Sequence, residues 1–203
     1  MIRVLRSELY RTLSIRSNWV SIAATIALGF AVGTFSVDFW ALFAGLGAFA
    51  IATITTAQHY QHRTALLLFL GEPHRLRTLA AQCVAAAVVT TATTALSGLV
   101  VLGTAGTGDG RQFRATVAAV PVLAVFSVAV ATVVRRPTWL LIGAVGWLTF
   151  VEGLIGKLQY PLPFSAYLTA STGKSQHLLI FAAWTAAALV AAALTIRRDL
   201  TAD

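Results

Sequence analysis

The sequence predicts an all-α membrane protein in which six helices cross the bilayer. Of its 203 residues, 58% are hydrophobic and only 11% are charged, and the mean hydropathy is +0.79. An average soluble domain carries about 25% charged residues. The apolar residues form long runs, each close to the roughly 20 residues that a helix needs to cross the hydrocarbon layer. The one cysteine, Cys83, lies inside such a run, so an intrachain disulfide is excluded.

A single transmembrane domain, residues 1–203, accounts for the whole chain in this interpretation. Residues 1–18 precede the spans, and their apolar side chains recur at helical spacing opposite arginine and serine, which predicts an amphipathic helix in the membrane interface. Because this segment has a long polar region that contains Glu8, it does not resemble a cleavable signal peptide. The six spans are placed at about 19–37, 40–57, 79–103, 115–134, 139–156 and 178–196.

The ends of the spans carry turns and tryptophans. A minimal turn at Asp38-Phe39 separates the first two spans. Trp19, Trp40 and Trp139 stand at span ends, where an aromatic belt would place them.

The lysines and arginines predict the orientation of the chain. If the spans alternate in direction, one side carries eleven of the 15 basic residues: Arg3, Arg6, Arg11, Arg16, Arg63, Arg75, Arg77, Arg135, Arg136, Arg197 and Arg198. The other side carries Arg111, Arg114, Lys157 and Lys174. The excess marks the cytosolic side, so both termini are expected in the cytosol. Because the arginines cluster at the ends of apolar runs, the net charge of +8 reflects membrane topology rather than nucleic-acid binding.

A basic segment, residues 59–82, separates the second and third spans. It carries His59, His62 and His74 together with Arg63, Arg75 and Arg77. Its apolar centre, residues 65–70, is too short to cross a bilayer and predicts a short helix on the cytosolic membrane surface. Pro73 suits the first turn of the helix that follows. The segment is interpreted as a docking element for a soluble partner. The spacing of its histidines is not that of a standard metal site, so we expect no metal.

The sequence contains no complete nucleotide-binding loop and no catalytic constellation. Gly173-Lys174-Ser175 ends like a phosphate-binding loop, but Leu168 stands where the first glycine is required. Glu152 is the one Asp, Glu, Lys, Arg or His residue inside the predicted spans, whereas ion-coupled carriers usually need such groups near the midplane. We therefore expect a non-enzymatic chain without a cofactor. If the protein uses energy, that energy must reach it through contacts at its surface.

Small and hydroxylated residues mark faces of the first and third spans. Thr90, Thr94 and Ser97 give the third span a hydroxyl face, for which two interpretations remain. Local bonding to backbone carbonyls and helix packing is the structural one, and the wall of a mildly polar pathway is the functional one. Gly29 and Gly33 in the first span would allow close helix approach, within the chain or in a dimer.

The connection between the fifth and sixth spans is predicted to be a broken, re-entrant helix rather than a spacer loop. Val151–Gly156 continues the fifth helix, and Pro161 and Pro163 then interrupt it. The residues that follow are short and half apolar, which is typical of a segment that dips back towards the membrane.

In the order of these elements, the chain resembles the ABC-2-type permeases, the membrane subunits of bacterial ATP-driven exporters. That family has an amphipathic N-terminal helix, six spans, a cytosolic coupling helix between the second and third spans, and a re-entrant outer segment before the sixth. Bacterial members often read E-Y-x-x-G-T, then a Leu-rich turn, then P-x-R. This chain has Tyr60, Thr64, Pro73 and Arg75 at the matching positions, with His59 and Arg63 where Glu and Gly are common. Val151-Glu152 and Leu162-Pro163-Phe164 resemble the outer motif of the family.

The resemblance implies a permease subunit of the bacterial cell membrane that works with separate ATPase subunits, on which ATP and Mg bind, and with a second permease subunit, identical or homologous. The residues expected to dock on the ATPase are His62, Arg63, Thr64, Pro73, His74, Arg75 and Arg77, with Arg135 and Arg136 in a second cytosolic loop. The residues expected to shape the outer gate are Glu152, Pro161, Pro163 and Phe164. The first and fifth spans would face the second permease subunit, and the apolar spans favour an amphipathic or hydrophobic substrate. The alternative is a non-transporting immunity, sensor or assembly subunit that binds a cytosolic protein through the basic segment.

Overall fold

Long helices packed side by side form the structure. A computed structural model of the chain describes residues 2–61, 75–105 and 110–198, and every secondary-structure element in these ranges is helical. The elements are α1 (Ile2–Ser14), α2 (Arg16–Gly33), α3 (Val37–Gln61), α4 (Arg75–Ala105), α5 (Gly110–Val134), α6 (Pro137–Gly146), the π-helix π1 (Trp147–Ile155), α7 (Pro163–Ser171) and α8 (Ser175–Arg198). The predicted all-helical fold is confirmed.

In the described ranges, five helical segments are long and apolar enough to cross a membrane. They are Val37–Gln58, Leu76–Gly103, Gly110–Val134, Pro137–Ile155 and Ser175–Arg197, and they match the second to sixth predicted spans to within a few residues. The predicted first span, α2, meets the same criterion only together with α1, to which it is joined through a bend of 73°. By length and composition, the described helices are compatible with a multi-pass membrane protein that has five spans, or six if the bent pair counts as one.

α3, α4 and α5 form the centre of the bundle, where each packs against the other two. α2 covers α3 and α4, α8 covers α5, and α1 lies against α4. Small side chains line these contacts, and Ala44, Ala48 and Ala52 of α3 are all fully buried. Small side chains let helix axes approach closely, and in lipid such packing, rather than transfer out of water, holds helices together.

The fifth predicted span, formed by α6 and π1, is the least buried of the five candidate spans in the described residues. Only 11% of the residues in its apolar 18-residue stretch are buried, compared with 50% in the corresponding stretches of the second, third and fourth predicted spans. Its exposed side chains include Trp139, Ile142, Val145 and Phe150. In a membrane, such a surface contacts lipid or a second protein.

The glycines of the first predicted span, Gly29 and Gly33, take part in helix packing within the chain. A Cβ atom on Gly33 would lie 2.5 Å from Val101 Cγ2, and one on Gly29 would lie 3.4 Å from the Ser97 side chain. The two glycines therefore let α2 approach α4, which is the intrachain form of the close approach that their spacing predicts.

Two predictions at the connection between the first and second predicted spans were wrong. Asp38 and Phe39, the predicted turn, belong to the first turn of α3, which begins at Val37. The Ser36 hydroxyl accepts a hydrogen bond from the Asp38 N–H at 3.2 Å, as an N-cap residue does. Trp40, predicted to lie in an aromatic belt, is only 1% exposed, because it fills the space between α2, α4 and α5.

Candidate functional site

Glu152 is an acid buried near the C-terminal end of the fifth predicted span. Its side chain is 1% exposed, and its carboxylate accepts three hydrogen bonds. Oε1 accepts from Trp147 Nε1 at 2.9 Å and from the Phe164 N–H at 3.2 Å, and Oε2 accepts from the Ser165 N–H at 2.5 Å. Hydrogen bonds to a carboxylate are stronger than neutral ones. These three donors stabilise an acid that would otherwise be costly to bury.

The π-helical backbone explains why Trp147 and Glu152 meet. In a π-helix, the backbone bonds join residues five apart, so the side chains of residues i and i+5 lie near each other. In an α-helix, with 3.6 residues per turn, the same two side chains would point about 140° apart. The π-helical winding of π1 (Trp147–Ile155) therefore brings the indole N–H of Trp147 within hydrogen-bonding distance of the Glu152 carboxylate.

The N-terminus of α7 supplies the other two donors. Its first residue is Pro163, which has no N–H to satisfy at that position. The next two residues, Phe164 and Ser165, have N–H groups that no carbonyl within a helix can accept. Leu162, the residue before the helix, has no side-chain acceptor to offer, so Glu152 accepts these hydrogen bonds instead. A carboxylate at this end of a helix is also favoured by the helix dipole.

α7 is fixed to spans other than the fifth. The Tyr167 hydroxyl donates to the Ala41 carbonyl of α3 at 3.0 Å. The ring of Tyr167 lies over Gly45, where a Cβ atom would be 2.4 Å from Cε1. On the opposite side, Trp184 Nε1 of α8 donates to the Pro161 carbonyl at 3.0 Å. The short helix is thus held between α3 and α8 and packs on α5.

The structure brings together three of the four residues predicted for the outer gate. Glu152, Pro163 and Phe164 are buried next to one another, whereas Pro161 is exposed and bonded through its carbonyl to Trp184. The predicted break in the helix is present, and a short buried helix follows it. The re-entrant placement of that helix in a membrane and its role as a gate remain predictions.

A second buried acid, Glu8 of α1, pairs with the arginine that bonds α1 to α3, and no such role was predicted from the sequence. Glu8 is 4% exposed, and its Oε2 accepts from Arg11 Nη2 at 3.1 Å. The same nitrogen of Arg11 donates to the Thr55 carbonyl of α3 at 3.2 Å. Burial lowers the pKa of the Arg11 guanidinium and the Glu8 carboxylate opposes this, so the arginine stays charged. An acid three residues before an arginine was the available signal, since residues at this spacing meet on a helix.

The residues predicted to dock on an ATPase lie mostly outside the described structure. These are His62, Arg63, Thr64, Pro73 and His74. Arg75 begins α4, and the Arg77 side chain is exposed near the start of the same helix.

Arg135 and Arg136, predicted as a second docking contact, form the whole connection between α5 and α6. Arg136 is exposed and has extended backbone with φ of −122°. Arg135 has φ of 59°, in the left-handed region that costs a non-glycine residue about 1–2 kcal/mol.

Replacing Arg135 with glycine is expected to raise the free energy of unfolding by up to about 1 kcal/mol, because glycine adopts the left-handed conformation without a Cβ clash. The gain is partial, because the Arg135 side chain also donates to the Thr132 carbonyl at 3.4 Å. Arg136→Gly removes the same charge from an unstrained position and should not stabilise the protein. Thermal unfolding in detergent compares the two, and an equal effect of both would contradict the strained turn.

The hydroxyl face of α4 is enclosed within the chain. Thr90, Thr94 and Ser97 are each at most 1% exposed. The Thr90 hydroxyl donates to the Ala86 carbonyl at 2.8 Å, and the Ser97 hydroxyl donates to the Thr94 carbonyl at 3.0 Å. Ser97 Oγ also accepts from Trp40 Nε1 at 3.1 Å. These bonds are the ones that the structural interpretation predicts, and a pathway along this face would require α4 to part from its neighbours.

Comparisons of the chain with models of known protein families, with curated proteins and with solved structures find no match. Within the described ranges, no three His, Cys, Asp or Glu side chains are grouped in a way that could hold a metal ion, and His62 and His74 lie outside those ranges. The features that bear on function are therefore the two buried acids, the break after the fifth predicted span and the family resemblance of the sequence.

Proposed function

We propose that the chain is the permease subunit of an ATP-driven exporter of the ABC-2 type, in a bacterial cell membrane with both termini in the cytosol. The observation that carries the proposal is the buried contact between Glu152 and the N-terminus of α7. A simple membrane anchor needs neither a break after its fifth span nor a buried acid that joins the two sides of that break. The order of amphipathic helix, spans, basic segment and broken outer segment supports the same assignment.

The arrangement of the helices supports a six-span topology in which α1 lies in the interface and α2 crosses the bilayer. Gln112 Nε2 donates to Asp38 Oδ1 at 2.7 Å, which joins the start of α5 to the start of α3. The contact between Arg11 and Thr55 joins α1 to the far end of α3. The first contact falls at the end predicted to be outside and the second at the end predicted to be cytosolic.

The proposed mechanism is mechanical. Two separate ATPase subunits would bind the basic segment and Arg135-Arg136, and their closure on ATP and Mg would move these elements. The hydrogen bond from Arg11 to the Thr55 carbonyl would carry part of this motion from α1 to α3, and the ion pair with Glu8 would hold the Arg11 side chain in place for it. Two permease subunits would then rock against each other, and a path between them would open to the other side of the membrane.

Two features support a substrate path between subunits rather than within one bundle. The hydroxyls of Thr90 and Ser97 in α4 are enclosed and bonded inside the chain. The fifth span leaves a broad apolar surface exposed, which suits contact with a second permease subunit. An amphipathic or hydrophobic substrate is the class that such a path would take.

Purification of the tagged chain from its native membranes in mild detergent tests the proposal. We expect a P-loop ATPase to be recovered in stoichiometric amount, with ATP hydrolysis that vanadate inhibits. Recovery of the chain alone, or with a partner that lacks a nucleotide-binding loop, would reject the exporter and favour the immunity, sensor or assembly subunit.

Reversing the charge of Arg75 and Arg77 together is expected to lower recovery of the ATPase at least about tenfold, because like charges at a docking site oppose association. The control is the double replacement of Arg111 and Arg114 with glutamate. It makes the same charge change at the start of α5, the end predicted to be outside, and should leave recovery unchanged. Equal losses in the two variants would remove the docking role of the basic segment.

A further inference from the structure

The outer half of the fifth span is an exposed segment with one buried polar side chain. Among the described elements, π1 packs mainly on its own span and on α7. Its apolar residues Phe150, Leu154 and Ile155 are 62%, 67% and 78% exposed, whereas Glu152 is 1% exposed. The two hydrogen bonds that Glu152 accepts from the Phe164 and Ser165 N–H groups are therefore the principal polar attachment that this segment shows to the rest of the bundle, while the bond from Trp147 lies within π1 itself.

The partner of this attachment is held firmly elsewhere. Tyr167 fixes α7 to the Ala41 carbonyl of α3, and its ring packs against Phe181 of α8 with centroids 6.0 Å apart. Breaking the contacts of Glu152 would leave α7 attached to α3 and α8. The element free to move would be π1.

The backbone on both sides of Glu152 is wound in an unfavourable way. π1 has nine residues, which is longer than the single-turn bulge in which π-helical winding usually occurs. In the turn that follows, Lys157 and Leu158 have φ of 46° and 56°, a conformation that residues with a Cβ atom avoid. Such strain persists only where other contacts impose it, and it is common at switch regions.

We propose that Glu152 is a latch that holds π1 against α7, and that its release lets π1 rewind as an α-helix and swing away from the bundle. The winding and the hydrogen bonds depend on each other, because α-helical winding would turn Trp147 about 140° away from Glu152. The segment therefore has two arrangements, one latched and π-helical, the other released and α-helical. In the released arrangement, the Phe164 and Ser165 N–H groups would bond to water at the outer surface. This inference concerns the chain alone and does not require an ATPase partner.

Distances between spin labels in the full chain, reconstituted in lipid nanodiscs, test the latch. The single cysteine, Cys83, is first replaced with serine. Labels are placed at Leu154 of π1 and Leu179 of α8, which are 67% and 72% exposed. We expect one narrow distance distribution in the parent chain. In Glu152→Gln we expect a second, longer distance, with the released fraction raised about tenfold or more, because the uncharged amide offers one acceptor oxygen and turns an NH₂ group towards a backbone donor.

A second label pair and a matched variant separate the latch from a general loss of structure. Labels at Leu99 of α4 and Leu179 report the fixed bundle and should give the same distance in every variant. Ser165→Ala removes a hydroxyl from the same turn but keeps the N–H that Glu152 bonds, so it should leave π1 latched. Trp147→Phe removes one of the three donors and should release π1 to an extent between those of the parent and Glu152→Gln.

Two outcomes would overturn the latch. One is a Glu152→Gln distribution identical to that of the parent, with Trp147→Phe also unchanged. The other is a shift of the Leu99–Leu179 distance in both variants, since Glu152 would then support the whole bundle rather than one movable segment. Neither outcome bears on recovery of an ATPase, so the latch and the proposed transport function can fail separately.

Discussion

Trp40→Ala is expected to lower the free energy of unfolding by about 3–5 kcal/mol, as truncation of a large buried aromatic residue does. Trp40 is 1% exposed and stacks on Phe113 with ring centroids 5.8 Å apart. Its indole N–H bonds Ser97 Oγ, and its ring leaves no room for a side chain on Gly98, where a Cβ atom would lie 2.4 Å from Cζ2. Truncation would leave a cavity among α2, α4 and α5 that these helices cannot fill without moving. Unfolding by titration of a mild detergent with a denaturing one, followed by circular dichroism, measures the loss.

Trp139→Ala is the matched control for this prediction. Trp139 also stands at the end of a predicted span, but it is 67% exposed. Its removal is expected to change the free energy of unfolding by less than about 1 kcal/mol, as is usual for surface positions. Equal losses for the two tryptophans would place Trp40 in contact with lipid and contradict the packing of α2, α4 and α5 around it.

The contrast between the two tryptophans shows where sequence reasoning ends for a membrane protein. Membrane segments must satisfy their backbone groups internally, so apolar runs of this length predict helices, and the helices were predicted to within a few residues. Hydrophobicity does not reveal which face is buried, because lipid and protein interior are both apolar. Trp19, Trp40 and Trp139 therefore looked alike in the sequence, although Trp19 and Trp139 are exposed and Trp40 is buried.

The site shows the same limit in its polar contacts. Proline residues predicted the break after the fifth span, because their backbone constraints are local. Two of the three partners of Glu152 are backbone N–H groups 12 and 13 residues later, and no residue type in the sequence indicates them. The π-helical winding was not predicted from the sequence either. Glu152 could be singled out in the sequence as an acid in an apolar span, but its hydrogen-bond partners could be identified only from the structure.

Gly45→Ala is expected to lower the free energy of unfolding by about 1–3 kcal/mol, the usual cost of overpacking a buried contact. The new Cβ atom would lie 2.4 Å from Tyr167 Cε1 and 2.7 Å from its hydroxyl oxygen. Tyr167 is fully buried, so its ring can yield only if α7 shifts away from α3. Such a shift would also weaken the bond from the Tyr167 hydroxyl to the Ala41 carbonyl. Detergent-titration unfolding of the purified chain measures the effect.

Two comparisons make this prediction specific to the contact between α3 and α7. Gly143→Ala makes the same substitution in the fifth span, where no atom lies within 4 Å of the new Cβ. It should stabilise the chain by about 0.5–1 kcal/mol through helix propensity alone. In a Tyr167→Ala background the cost of Gly45→Ala should disappear, because residues in contact are non-additive. If Gly45→Ala still lowers the free energy of unfolding in the Tyr167→Ala background, Gly45 is required for the shape of α3 itself. In that case α7 is positioned by its contacts with α8 and Glu152 rather than by the packing of Tyr167 on α3.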